Sequence, residues 1–178
     1  MSTAVFTPRA REVRTLILLR HAKSDYPPGV PDHDRPLAAR GIRDAPVAGR
    51  WLADHCPRPD VVLVSSAERA QRTWELASRQ LPVPVPAMTE ARIYEATSET
   101  LAEIARELPE AATTAVLVGH NPGFEDLARR IARGGDPEAL ARLRLKYPTS
   151  GIAVLQSSGS WADLASAADL VAFAVPRG

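Results

Sequence analysis

Cysteine is nearly missing from this chain. Cys56 stands alone among 178 residues, which excludes an intrachain disulfide and a cysteine-rich zinc site. No apolar run reaches the length that a membrane helix needs, and residues 1–13 lack the apolar core of a secretory signal. Charge of one sign is lacking too. Lys and Arg number 22 against 21 Asp and Glu, a net charge of +1, so neither a basic nucleic-acid footprint nor an acidic tail is present. Internal repeats and low-complexity segments are absent. These absences point to a cytoplasmic protein with no nucleic-acid or membrane partner, and any affinity for anions has to be local. A length of 178 residues suits one compact domain. The expected division is a flexible leader over residues 1–13 and a folded domain over 14–178.

Against this background, short aliphatic runs that end abruptly in polar residues stand out. Leu16-Ile17-Leu18-Leu19 runs into Arg20-His21, Val61-Val62-Leu63-Val64 into Ser65-Ser66, and Ala115-Val116-Leu117-Val118 into Gly119-His120-Asn121. A fourth run, Ile152 to Leu155, follows Thr149-Ser150-Gly151. Such runs read as strands buried on both faces of a parallel sheet, and ligands of open α/β sheets bind beyond the carboxyl ends of the strands. Helical spacing is predicted over Leu37–His55, interrupted at Gly41 and Pro46, and over Glu68–Leu81. Further helices are expected over Ser98–Leu108 with Ser98 as N-cap, Phe124–Arg133 and Pro137–Lys146. Pro82–Met88 is expected as an edge strand, and Trp161–Leu164 and Leu170–Val175 as hairpin-like edge strands. Ser24–Pro36 carries five prolines or glycines and is predicted to be an irregular loop holding Asp25, His33, Asp34 and Arg35.

The polar residues expected at the strand ends are Arg20, His21, Ser65, Arg69 and His120, with Glu90 or Glu95 nearby. Arg69 and Arg72 open a helix, where they oppose its dipole and suggest that an anion is gathered. Two guanidinium groups and two imidazoles around one crevice describe a pocket for a compact dianion. In such a pocket a neutral His21 could attack phosphorus, with Arg20, Arg69 and a protonated His120 holding the phosphoryl oxygens. A carboxylic acid would protonate a poor leaving group.

The same stretches carry a resemblance. Leu18-Leu19-Arg20-His21-Ala22 resembles the Arg-His-Gly signature of the histidine phosphatase (phosphoglycerate-mutase-like) superfamily. Ser65-Ser66-Ala67-Glu68-Arg69-Ala70-Gln71-Arg72-Thr73 is similar to its second-arginine motif, and Val118-Gly119-His120-Asn121-Pro122 to its second-histidine motif. Arg35-Pro36-Leu37 with Gly41, and Thr149-Ser150-Gly151-Ile152-Ala153, resemble the short branch of SixA phosphohistidine phosphatases. The likeness spans about Leu16 to Val175. It implies an α/β fold with a mainly parallel central sheet flanked by helices on both faces, and activity without metal or cofactor. His21 would be the nucleophile, with Arg20, Arg69 and His120 around the phosphate and Ser65 as a further phosphate contact. Glu95 would be the acid, with Glu90 as competitor. Implied partners are a histidine-phosphorylated protein or a small phosphate ester. Two departures stand out: Ala22 replaces the usual glycine, and Pro27 replaces a mutase polar residue.

Two other readings compete. A metallohydrolase could use His21, His33, Asp34 and His120, although Arg20 and Arg69 would set positive charge beside the cation and no HxxxH-type pair is present. A non-catalytic phosphate-binding module would keep the pocket without turnover, and would not require a nucleophile.

Overall fold

A computed structural model describes residues 12–178 of the chain. The leader expected over residues 1–13 therefore lies outside the described residues, apart from Glu12 and Val13. In chain order, β1 (Arg14–Arg20) leads to α1 (Ala39–His55), and β2 (Val61–Val64) to α2 (Glu68–Ser78). A two-residue β3 (Met88–Thr89) precedes α3 (Ser98–Arg106); β4 (Thr114–Gly119), α4 (Gly123–Ile131), β5 (Ala132–Gly135) and α5 (Pro137–Leu145) follow. The chain closes with β6 (Ile152–Ser157), α6 (Trp161–Leu164) and β7 (Ala168–Ala174).

The strands form one sheet in the order β3-β2-β4-β1-β6-β7-β5. β1, β4, β2 and β3 run parallel, β6 pairs antiparallel with β1 and with β7, and β5 joins β7 in parallel. The alternation of a strand divides each central run between two cores. Leu16 and Leu18 of β1 face α3, α4, α5 and α6, while Ile17 and Leu19 face α1 and α2. Because both faces are covered, all six residues of β4 are buried. The mainly parallel α/β architecture is the one expected.

Several local expectations need correction. Trp161–Leu164 is a helix and not a strand. Ser160 accepts from the Asp163 amide while the Asp163 carboxylate accepts from the Ser160 amide, a reciprocal cap that satisfies the first orphan donors of the turn. β7 is not an edge strand, since β5 lies outside it; the Arg-Gly-Gly sequence of β5 gives no alternation to read. Of the expected edge strand Pro82–Met88, only Met88 pairs with the sheet, together with Thr89 beyond it. The N-cap of α3 is Thr97, whose hydroxyl accepts from the Thr100 amide, and not Ser98. α1 runs through Pro46 without ending. The carbonyl that loses its partner there belongs to Ile42, which is 47% exposed, so water can satisfy it.

The register of the three central parallel strands positions the site. Arg20 lies opposite Gly119, and Val64 opposite Val118, so β1, β4 and β2 end at one level. The ladder continues one step further, with the His21 amide donating to the Gly119 carbonyl and the Ser65 amide to the Val118 carbonyl, each at 2.9 Å. Beyond His21 the chain is pressed against the start of α1, where the Ala38 amide donates to the Lys23 carbonyl at 2.9 Å. Gly41 allows this approach, because a Cβ there would lie 2.1 Å from the Lys23 oxygen. Gly41→Ala is therefore expected to destabilise the fold by about 1–3 kcal/mol, as overpacking does, and to lower activity by displacing the segment after His21. Urea denaturation and turnover measured on the same preparation check both effects.

Candidate active site

His21 and His120 emerge from adjacent strands at the same level, so their rings meet. The centroids are 5.1 Å apart with the planes tilted by 53°, close to the spacing of neighbouring strands. Both side chains are buried at the floor of a cleft of about 770 Å³, together with Arg69. Arg20 also lines it. The structure thus brings together the four residues that the sequence singles out.

Each is held by a different part of the chain. The Arg20 guanidinium donates to the Tyr147 carbonyl at 2.7 Å. The backbone of Arg20 and His21 is clamped by the Ser150 amide, which lies 3.1 Å from both carbonyls. Ser150 adopts a left-handed φ of 59° to make this contact. Thr73, in the second turn of α2, accepts from the Ala22 amide and donates to the Arg69 carbonyl, joining the loop after His21 to the helix of Arg69.

The hydrogen bonds also set the tautomers. His21 Nδ1 lies 2.7 Å from the Ala22 carbonyl. A carbonyl only accepts, so Nδ1 carries the proton and Nε2 keeps its lone pair. Burial above all, reinforced by His120, Arg69 and Arg20, lowers the pKa of His21 from 6.5 to about 3. His120 is lowered to about 4, again by burial first and then by Arg69. The protonated His120 expected from the sequence is therefore not the state of the free site. Its Nε2 lies 2.7 Å from the Ser65 hydroxyl. That hydroxyl accepts from the Ala67 amide at 3.3 Å, and among the described residues His120 Nε2 is the acceptor within reach of its own proton; donated there, it leaves the neutral ring with its hydrogen on Nδ1.

Three N–H donors of the cleft remain without a counterpart. Among the described residues, buried Nε of Arg20, Nε of Arg69 and Nδ1 of His120 have no hydrogen-bond partner. Unpaired buried donors are costly unless a ligand completes them, and all three belong to the cleft. The amino end of α4 also opens at the cleft through Pro122 and Gly123, adding the positive end of a helix dipole.

Other expected site residues take different places. Ser65 is fully buried and positions His120; it is not the direct phosphate contact expected. Arg72 turns away into an ion pair with Glu75. Glu90 is held by Arg92, whose hydrogen bond keeps its carboxyl below the usual range, and it does not line the cleft. Glu95 does line it, exposed and with a left-handed φ of 54°. His33 contacts Ser66 at 2.9 Å and Asp34 at 3.2 Å, and among the described residues no three His, Cys, Asp or Glu side chains gather as a metal set.

Asp32 and Tyr94 are site residues that the sequence reading did not single out. The Asp32 carboxylate accepts from Tyr94 Oη at 2.7 Å, Arg35 Nε at 3.0 Å and Arg69 Nη2 at 3.2 Å. Its main-chain carbonyl accepts from Arg69 Nη1 at 2.7 Å. The Tyr94 ring stands edge-on to His120, with centroids 5.7 Å apart. The Tyr94 hydrogen bond first, then Arg69 and Arg35, holds Asp32 at about 2.

A sequence model of the histidine phosphatase superfamily (branch 1) matches residues 16–160. An uncharacterised protein of Mycobacterium tuberculosis strain H37Rv is 44% identical over 162 residues, which is 89% of this chain and 100% of that protein. A structure from Nakamurella multipartitia, assigned as the phosphohistidine phosphatase SixA, has a TM-score of 0.81 at 33% identity and covers 92% of this chain and 96% of its own. One from Agrobacterium tumefaciens with the same assignment has a TM-score of 0.73 at 33% identity, covering 92% and 99%.

The depressed histidines predict how the protein titrates. Above pH 6.5 the rings are neutral whether the chain is folded or not, and they contribute nothing to pH dependence. Below it the unfolded chain takes up protons that the folded chain refuses until about 4 at His120 and about 3 at His21, so stability falls on acidification through that window. Nuclear magnetic resonance of the free protein should show both rings neutral at pH 7, and inorganic phosphate should raise the midpoint of His120. A His120 that titrates near 6.5 in the free protein contradicts this electrostatic account.

Proposed function

The chain is a phosphatase of the histidine phosphatase superfamily, and from that premise we propose that it hydrolyses its substrate through a covalent phosphohistidine on His21. The observation that carries this reading is the set of unpartnered donors on Arg20, Arg69 and His120 around an imidazole whose Nε2 is free. They match the needs of phosphoryl transfer, in which positioning and stabilisation of charge on the phosphoryl oxygens do most of the work.

In the first step the Nε2 lone pair of His21 forms a bond to phosphorus as the bond to the leaving group breaks. The proton stays on Nδ1, and its hydrogen bond to the Ala22 carbonyl stabilises the charge that the ring acquires. In the second step water attacks phosphorus, the N–P electron pair returns to His21 Nε2, and one water proton passes to a phosphoryl oxygen, so that inorganic phosphate leaves. The arriving dianion offsets the positive charge of Arg69 and Arg20, so His120 can take up a proton once phosphate is bound.

The substrate we propose is a cytoplasmic protein phosphorylated on histidine, with small phosphate esters as the other class. The open cleft supports this, as does the assignment of the relatives from Nakamurella multipartitia and Agrobacterium tumefaciens. Phosphohistidine with a protonated ring leaves as neutral imidazole and needs no acid, whereas an alkyl ester needs a proton donor, and Glu95 on the cleft is our candidate.

Two experiments test this reading. With chelator present, His21→Ala should lose at least ~10³-fold of activity and trap no labelled phosphate, while the parent protein yields an acid-labile, base-stable phosphoenzyme. Retained turnover in His21→Ala, or loss of parental activity to the chelator, overturns the assignment. Glu95→Gln should slow alkyl phosphates by about 10²-fold or more and leave phosphohistidine turnover nearly unchanged. An equal effect on both substrates rules Glu95 out as the acid.

A further inference from the structure

The cleft has a cationic floor, and yet a carboxylate is built into its rim. Asp32 spans Arg35, Arg69 and Tyr94 with three hydrogen bonds. A carboxylate offers about four acceptor positions, so roughly one remains, on a side chain that is 52% exposed. Holding Arg69 would not by itself require an acid, because the Asp32 main-chain carbonyl already binds Nη1. The carboxylate answers the buried Arg35 and Arg69 guanidinium groups, and it also faces the same cleft into which the leaving group of a bound phosphate must project.

We propose that Asp32 is a specificity-determining residue, whose carboxylate at the rim favours substrates with a positively charged leaving group over those with a neutral or anionic one. The inference deepens the reading of the site given above, since protonated phosphohistidine is such a substrate. Its distal ring N–H can donate to the open position on Asp32 while the phosphoryl group sits among Arg20, Arg69 and His120. As His21 Nε2 bonds to phosphorus, the substrate N–P pair returns to the ring, the distal proton stays where it is, and the product leaves as neutral imidazole. The ring's positive charge fades as that bond breaks. The benefit of Asp32 thus falls on binding and on keeping the bound ring protonated, so it appears in KM more than in kcat. Polyanionic substrates are disfavoured by the same charge.

The test compares Asp32→Asn with the parent on two matched pairs: histidine- and serine-phosphorylated versions of one peptide, and phosphoethanolamine against ethyl phosphate. Asparagine keeps the side chain's shape and an acceptor oxygen but removes the charge. The preference for the cationic member, as a ratio of kcat/KM, should fall about fivefold in each pair, the size of one half-exposed charge pair, and mainly through KM. Asp32→Glu should restore part of it. A parent protein that discriminates in the ester pair but does not hydrolyse phosphohistidine would keep the charge rule and sink the phosphohistidine reading. Equal losses on all four substrates, which a purely structural role through Arg69 would give, overturn the proposal, and so do unchanged ratios.

Discussion

Crowding of like charge at the end of three strands is the constraint on which the site depends. The register of β1, β4 and β2 leaves the two imidazoles no choice but to meet, 5.1 Å apart, with Arg69 and Arg20 beside them. Two unit charges at that distance repel by about 3 kcal/mol at an effective dielectric constant near 20, before the cost of burying either is counted. Burial costs each ring more still, and together burial and the neighbouring cations leave both rings neutral in the free protein. Neutrality turns two similar side chains into two different tools, because each ring's backbone or hydroxyl partner decides which nitrogen holds the proton. The Ala22 carbonyl makes His21 a base at Nε2, and the Ser65 hydroxyl makes His120 a donor at Nδ1. The same repulsion makes the site responsive to its ligand, since a dianion is the group that lets these cations coexist.

The scaffold around these residues works mostly through backbone atoms. Arg20 rests on the Tyr147 carbonyl, the loop after His21 on Ser150, Thr73 and the start of α1, and His120 on a buried serine. The Tyr147 hydroxyl in turn donates to the Leu18 carbonyl inside the sheet, so the support for Arg20 is anchored in the strand that carries it. Contacts of this kind come from four separate segments of the chain, and none of them can relax without moving a catalytic candidate. A site built this way is as rigid as the fold.

The four central residues were legible because each follows a signal that is physically unambiguous: an aliphatic run that stops at a polar residue, or the first turn of a helix after such a run. What the sequence could not convey lies in contacts without local pattern. Asp32 meets Arg69 and Tyr94 across 37 and 62 positions of chain, from inside a proline-rich loop whose course no periodicity dictates. Ser65 has the residue type and place of a phosphate ligand, and only the packed position of His120 shows that its hydroxyl is committed elsewhere. The misreading of Trp161–Leu164 has a different cause. Four residues are too few to display a helical period, and the reciprocal Ser160–Asp163 cap was the one available signal.

Asp32 also alters how Arg69 has to be understood. A guanidinium has five donors in a fixed plane, and two of its nitrogens are already engaged, Nη1 by the Asp32 carbonyl and Nη2 by its carboxylate. Three N–H donors stay in reserve, among them the buried Nε, which has no partner among the described residues. Its orientation toward a phosphoryl group is thus set by the loop that carries Asp32, and the loop's own conformation is tied through Arg35 to Ser24, only three residues past His21. Any movement that draws Asp32 outward would release Arg69 and unbalance the charge at the floor together. Asp32, proposed to sense the leaving group, and Arg69, proposed to hold the phosphate, are mechanically one unit, so changes in this loop are expected to shift specificity and catalytic rate in concert.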